Sequence, residues 1–133
     1  MPIQVLWENE EQSVVRWHFT DPWTWQDFNA AQSRCHALMD TVPNTIDIIL
    51  DLRETEHLPP GAFFRSKRHL DMLHPRAGIV VIVGANIVAQ HIYKTLGQMY
   101  PILKAKYLMG FADTIEGAHA TLASIQATRH LQV

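Results

Sequence analysis

Two runs of apolar, mostly β-branched residues constrain the fold more than any other feature of this sequence. They are IDIILDL at 46–52 and GIVVIVG at 78–84. Such nearly continuous runs are typical of strands buried on both faces, as in parallel sheets that are covered by helices. A helical pattern follows each run, which favours strand–helix–strand units with right-handed crossovers.

The first two apolar segments alternate instead, which indicates strands with one buried and one wetter face. They are IQVLW at 3–7 and VVRWHF at 14–19, and the polar ENEEQS between them suits a hairpin loop. A weaker fifth strand is predicted at 106–112. We therefore expect an α/β fold of order ββαβαβαβα, with a mainly parallel five-stranded sheet and an antiparallel N-terminal strand pair.

The helices are defined by caps and by one apolar face each. Thr24 is predicted to cap the first helix with Asp27 completing a capping box, and Asp113 or Thr114 to cap the last. The predicted inward faces are Phe28, Ala31, Cys35, Leu38 and Met39; then Phe63, Ser66, Leu70 and Leu73; then Val88, Ile92, Thr95, Leu96 and Met99; and finally Ile115, Ala118, Leu122 and Ile125. Cys35 is therefore interpreted as a buried thiol rather than a nucleophile.

The length and composition fit one ordinary globular domain spanning 1–133. Apolar residues make up 47%, charged residues 18%, and the net charge is −2, so no overall field attracts nucleic acid. The apolar stretches are too short to cross a membrane, and MPIQVLWENE lacks the pattern of a signal peptide. We expect a cytoplasmic domain without an internal disulfide, since there is one cysteine.

Three segments resemble the STAS, or anti-sigma-factor-antagonist-like, domain. They are IDIILDL, GIVVIVGAN and FADTIEGAHATL, and together with the element order the resemblance covers nearly the whole chain. It implies a non-enzymatic regulator in which a partner kinase phosphorylates a serine after the DL strand. That serine begins a helix, whose N-terminus tolerates a phosphate.

The loop after the DL strand departs from that pattern. The positions that should hold aspartate and serine fall at Pro59 and Pro60, and no hydroxyl side chain occurs from 56 through 65. Thr55 comes before the predicted helix start, and Ser66 lies on its predicted buried face. The sequence therefore predicts a divergent domain without the phosphoserine switch.

A protein partner is predicted to bind through the 54–61 loop and the helix from Gly61 to Leu73. An aromatic residue and a methionine stack beside an arginine on the helix face opposite the core, which suits an interface. The alternatives are that a dimer mate or the N-terminal segment buries this face, or that it is a solvated basic face. The predicted partner-binding residues are Arg53, Leu58, Pro59, Pro60, Gly61, Phe64, Arg68 and Met72. Pro59, Pro60 and Gly61 also suit a plain helix entry.

A small-molecule or lipid carrier is the alternative function. Gly84, Ala85 and Asn86 join a buried strand to a helix, where backbone donors could hold an anion, although Asn86 also suits a simple N-cap. Trp23 and Trp25 are predicted to be partly exposed at the same end of the sheet, with an apolar ligand beneath them. Trp7 and Trp17 are predicted to pair across the hairpin as core.

A third interpretation is an enzyme that uses His57 with Glu54 or Glu56 as acid and base. None of the eight histidines has the spacing of a metal motif, so neither a metal site nor a cofactor is predicted. The remaining histidines are interpreted as scattered surface or flanking residues.

Overall fold

The computed structural model describes residues 2–57, 75–91, 94 and 109–131. These residues form five strands and three helices, which we number in chain order. The elements are β1 (Ile3–Trp7), β2 (Val14–Thr20), α1 (Trp25–Met39), β3 (Ile46–Glu54), β4 (Ala77–Val83), α2 (helical at 87–91 and 94), β5 (Met109–Ala112) and α3 (Ile115–Leu131).

The strands form one mixed sheet in the order β1-β2-β3-β4-β5. β1 runs antiparallel to β2, and every other neighbouring pair is parallel. The predicted α/β fold with a mainly parallel sheet is therefore confirmed. Because β2 to β5 run in one direction, their last residues Thr20, Glu54, Val83 and Ala112 mark one end of the sheet, which we call the carboxyl edge.

The central strands bury both faces, as their apolar runs predict. On β3, Ile48 joins the core cluster that packs against α1, whereas its neighbour Ile49 joins the cluster that packs against α3. Val80 and Val81 of β4 divide between the two clusters in the same way. Alternate side chains of one strand point to opposite faces, so each central strand contributes to two cores.

Both predicted helix starts are confirmed. The Asp27 amide donates to Thr24 Oγ1, and the Asp27 carboxylate accepts from the Thr24 amide at 2.8 Å, which completes a capping box. At α3, Thr114 is the cap, since its Oγ1 accepts from the Gly117 amide at 3.0 Å. Each cap satisfies donors that the first turn leaves without helical partners.

The inward faces of α1 and α3 are also as predicted. Ala31, Cys35 and Met39 are buried, as are Ala118 and Leu122, and the other predicted residues of both faces are partly buried against the same clusters. Burial raises the pKa of the Cys35 thiol, which keeps the thiol in its neutral, unreactive form.

The predicted pairing of Trp7 with Trp17 is wrong in register, although the two share a face. Trp17 stands opposite Val5, and Trp7 stands opposite Val15. The Trp17 ring contacts Phe28 instead, with ring centroids 5.1 Å apart.

Several predictions lie outside the described residues. They concern the helix from Gly61 to Leu73 with its inward residues Phe63, Ser66, Leu70 and Leu73, and the later inward positions Ile92, Thr95, Leu96 and Met99. A membrane crossing would need a longer and more apolar helix than any found within the described ranges.

The close approach of α3 to β5 depends on Gly110. A Cβ atom there would lie 2.6 Å from Thr121 Cγ2, and the nearest Ile125 atom would be 3.2 Å away. We expect Gly110→Ala to lower the free energy of unfolding by about 1–3 kcal/mol, because α3 must shift or the new methyl group is overpacked. Chemical denaturation would measure the loss.

A second substitution tests this cause. Thr121→Ser removes the clashing methyl group, so the Gly110→Ala/Thr121→Ser double variant should regain much of the loss relative to Thr121→Ser alone. If the loss of stability in the double variant equals the sum of the two single losses, the proposed clash between residue 110 and the Thr121 methyl group is contradicted.

Candidate functional site at the carboxyl edge

Three segments of the chain meet at the carboxyl edge of the sheet. They are the turn between β2 and α1, the segment 55–57 after β3, and the connection 84–86 between β4 and α2. In open parallel sheets, ligands and partners commonly bind beyond this end of the strands. The described polar side chains here are therefore the candidate site.

Thr55 links two of these segments from inside the protein. Its residue exposure is 0%, and its hydroxyl accepts a hydrogen bond from Trp23 Nε1 at 2.8 Å while it donates to Asp21 Oδ1. The Thr55 amide also donates to the Leu52 carbonyl at 3.3 Å. The Thr55 hydroxyl is thus enclosed and fully engaged, and a modifying enzyme could not reach it without local opening.

Asn86 links the third segment to the same place. Its Nδ2 donates to the Leu52 carbonyl at 2.7 Å and to the Thr55 carbonyl at 2.9 Å. Its Oδ1 accepts from the Ala89 amide at 2.9 Å, so the predicted N-cap role of Asn86 is confirmed. One side chain therefore caps α2 and also fixes the backbone that leaves β3.

Gly84 permits this close approach. Its φ of +147° lies in a region that favours glycine, and an added Cβ would meet Ala89 Cβ at 3.1 Å. The Gly84 amide donates to the Ala112 carbonyl at 2.9 Å, and the Ala85 carbonyl accepts from Gln90. Anion binding by Gly84, Ala85 and Asn86 stays a prediction, and these bonds give the three residues a structural role.

Asp51 is a buried carboxylate at the end of β3. Arg53 donates to it from Nε and from Nη2, both at 2.9 Å, and the Arg53 amide adds a third bond. Burial acts to raise the pKa of Asp51, but the hydrogen bonds and charge of Arg53, with a hydrogen bond from His18, outweigh it and hold the pKa below its usual range. The bond to Asp51 raises the pKa of Arg53.

His18 extends this network across two strands. Its Nδ1 lies 3.2 Å from Asp51 Oδ2, and its Nε2 lies 2.9 Å from Glu54 Oε2. The parallel register of β2 and β3 pairs His18 with Asp51. Sequence reasoning missed both residues, although alternation in β2 already placed His18 on the face opposite Trp17 and Phe19.

Asp21 accepts hydrogen bonds from three consecutive residues, Thr55, Glu56 and His57. Besides the Thr55 hydroxyl, it accepts from the Glu56 amide at 2.6 Å and from His57 Nδ1 at 3.3 Å. Burial acts to raise the pKa of Asp21, yet these hydrogen bonds and the charge of His57 lower it overall. Sequence reasoning also missed Asp21.

The structure places Asp21, rather than Glu54 or Glu56, at hydrogen-bond distance from His57, and the use of His57 with either glutamate as acid and base stays a prediction. Glu54 contacts His18, and among the three acids it is Asp21 that faces His57. The reason is the Thr55 anchor, which turns the following backbone so that the Glu56 amide and the His57 ring both point at Asp21.

The predicted partial exposure of Trp23 and Trp25 is also wrong. They are only 7% and 9% exposed, and their ring centroids lie 5.3 Å apart in an edge-to-face contact. Trp23 packs on Phe19 at 5.1 Å, and Trp25 packs on Phe28 at 5.6 Å. The bond from Trp23 Nε1 to Thr55 satisfies the one polar atom of that ring, which permits its burial.

The predicted partner-binding residues are only partly within the described structure. Arg53 lies at the carboxyl edge with its side chain 43% exposed. The other predicted residues lie outside the described residues; they are Leu58, Pro59, Pro60, Gly61, Phe64, Arg68 and Met72. Within the described part of the chain, no group of three or more histidine, cysteine, aspartate or glutamate side chains is arranged to hold a metal ion.

Comparisons with protein-family models, curated proteins and solved structures returned no match to this chain. The resemblance to STAS domains therefore stays a prediction from the sequence, beside a confirmed α/β fold.

Asp51 makes the stability of the fold depend on pH. Its folded pKa is lowered, so its contribution is fully present above its unfolded pKa of about 4 and is lost as pH falls through the folded value. We expect Asp51→Asn to be less stable than the parent chain by about 1–3 kcal/mol near neutral pH, because it loses charge-assisted bonds. Urea unfolding should show that the difference in free energy of unfolding between the parent chain and Asp51→Asn becomes smaller as the pH falls. Glu11→Gln, in the exposed hairpin loop, is the control; a gap for Asp51→Asn that stays constant with pH would contradict the assignment.

A second prediction concerns the buried hydrogen bond between Trp23 Nε1 and the Thr55 hydroxyl. Thr55→Val keeps the shape but leaves Trp23 Nε1 without its acceptor, so we expect a loss of about 1–3 kcal/mol in the free energy of unfolding. Thr20→Val, at an exposed strand position, is the matched control and should change stability little. Equal effects from the two substitutions would show that the Thr55 hydroxyl contributes nothing specific.

Proposed function

We propose that this chain is a non-enzymatic protein-interaction domain that binds a partner at its carboxyl edge, without a phosphoserine switch in the loop after β3. The observation that carries the proposal is that three charged side chains and one histidine are exposed on a backbone that hydrogen bonds hold in place at 53–57. The proposed partner contact includes Arg53, Glu54, Glu56 and His57, all of which are exposed.

The backbone beneath these side chains is held from three directions. Asn86 binds the carbonyls of Leu52 and Thr55, and Asp21 binds the Glu56 amide. A segment that is already ordered loses little conformational freedom when a partner binds, so more of the contact energy appears as affinity. This arrangement favours recognition by a surface rather than by an adaptable loop.

The charges of the segment favour specificity. The Glu54 side chain is 62% exposed and that of His57 is 85% exposed, and the exposed Glu56 lies between them. Charged groups at an interface steer the partner and exclude wrong ones more than they add raw affinity. A partner with cationic or donor groups opposite the two glutamates fits this surface.

The segment also continues into the predicted interaction surface. It leads along the chain into Leu58–Gly61 and the predicted helix that carries Phe64, Arg68 and Met72. The resemblance to STAS domains implies partner binding in the same region. A dimer mate remains one candidate for the partner. The carrier alternative receives no support from Trp23 and Trp25, because both rings are packed among other aromatic side chains.

Glu56→Lys tests the surface most cleanly. The Glu56 backbone is anchored through its amide, while its side chain is exposed, so the fold should keep its thermal stability. We expect the charge reversal to weaken partner binding several-fold or more, measured by native mass spectrometry of tagged protein purified gently from its own cells.

Glu11→Lys is the control with the same change of charge. Glu11 lies in the β1–β2 hairpin loop, at the end of the sheet opposite the carboxyl edge. Loss of the co-purifying protein in both variants, or in neither, would contradict binding at the carboxyl edge.

A further inference from the structure

His57 combines high exposure with a hydrogen bond between Nδ1 and a carboxylate. Its side chain is 85% exposed, so most of the ring faces solvent. Its Nδ1 nevertheless lies 3.3 Å from a carboxylate oxygen of Asp21. Asp21 is itself held in place by Thr55 and by the Glu56 amide, so the ring is oriented by a preformed partner.

The bonding of Asp21 decides which nitrogen of His57 carries the proton. Asp21 accepts three hydrogen bonds and its pKa is lowered, so it is an ionised group that can only accept. Nδ1 of His57 must therefore donate. In the neutral ring the lone pair then lies on Nε2, which is the nitrogen that makes no hydrogen bond to a described residue.

His18, His119 and His91 lack this combination. Both ring nitrogens of His18 face carboxylates, and Nε2 of His119 lies 3.2 Å from Glu8. His91 is exposed but makes no hydrogen bond to a described residue. A nucleophilic histidine needs an accessible, unprotonated ring nitrogen, and Nε2 of His57 is exposed and makes no hydrogen bond to a described residue.

We propose that His57 is a phosphoryl-acceptor site that takes a phosphoryl group on Nε2 from an activated donor such as a nucleoside triphosphate or a phosphoramidate. The Nε2 lone pair forms the new N–P bond. With a nucleoside triphosphate, the bond between the terminal phosphorus and its bridging oxygen breaks, and the electron pair leaves with the nucleoside diphosphate. With phosphoramidate, the P–N bond breaks and the electron pair leaves with ammonia. Nδ1 keeps its proton, and the Asp21 carboxylate compensates the positive charge that develops on the ring.

The consequence for regulation depends on the proposed function. A phosphoryl group adds about −1.5 to −2 charges. On His57 it would stand within the proposed contact, in the same exposed segment as Glu54 and Glu56. We expect the modified chain to bind its partner more tightly, because the added negative charge has the same sign as Glu54 and Glu56 and attracts the cationic groups of the partner.

The test of the site uses phosphoramidate with the full chain and no partner. Mass spectrometry under neutral or alkaline conditions, which preserve the acid-labile N–P bond, measures the fraction of each histidine that is phosphorylated. ³¹P NMR distinguishes phosphorylation on Nδ1 from phosphorylation on Nε2. We expect His57 to react several-fold faster than His91 in the same molecule and to give the Nε2 isomer. Equal rates at the two residues, or the Nδ1 isomer at His57, would overturn the proposal.

Asp21→Asn tests the positioning role of Asp21. The substitution should remove the preference of the reagent for His57 over His91, and the ratio within one molecule is insensitive to protein concentration. Long-range ¹H–¹⁵N NMR of the unmodified parent chain supplies a measurement that needs no variant. The Nδ1–H form of His57 supports the proposal, and the Nε2–H form contradicts it.

Partner binding is measured separately on the modified and unmodified chains, with His57→Gln as the form that cannot be modified there. Selective labelling with unchanged partner binding would overturn the regulatory role and leave the site intact. If His57 is labelled selectively but Glu56→Lys leaves partner binding unchanged, the proposed function is overturned and the phosphoryl-acceptor site is not.

Discussion

The buried hydroxyl of Thr55 is the link on which the carboxyl edge depends. It joins the Trp23 indole to the Asp21 carboxylate, so the turn after β2 and the segment after β3 are fixed to each other. Asn86 then ties the start of α2 to the same segment through two backbone carbonyls. Each link satisfies a buried polar group that would otherwise be costly, so the packing of the aromatic core and the order of the edge support each other.

Charge at the edge is organised in two separate networks. Asp51 is enclosed by Arg53 and His18, which ties β2 to β3 inside the edge. Asp21 instead connects the buried Thr55 with the exposed His57. In the first network, the buried Asp51 makes its hydrogen bonds within the protein, whereas the second network ends at the exposed His57 ring, whose Nε2 makes no hydrogen bond to a described residue. That difference is why we assign the phosphoryl-acceptor site to His57.

The fold was largely predictable because it depends on periodicity and caps. Alternation in β1 and β2, the apolar runs of β3 and β4, and the Thr24 and Thr114 caps are local patterns, and each reports its element directly. The site was less predictable because its contacts join residues far apart in sequence. Asp21 and His57 are neighbours only through the parallel register and the Thr55 link, and no local spacing records that. Trp23 was misjudged for the same reason: its burial depends on Thr55, an acceptor supplied by a distant segment.

Amide hydrogen exchange across 52–57 tests most directly the claim that the carboxyl edge is ordered before any partner binds. The Glu56 amide donates to Asp21, and the Thr55 amide donates to Leu52. The account predicts that both amides of the free protein exchange far more slowly than those of an unstructured chain, and that Thr55→Val speeds the exchange at Glu56. Exchange at Glu56 as fast as in an unfolded peptide, in a protein whose strands remain protected, would contradict it.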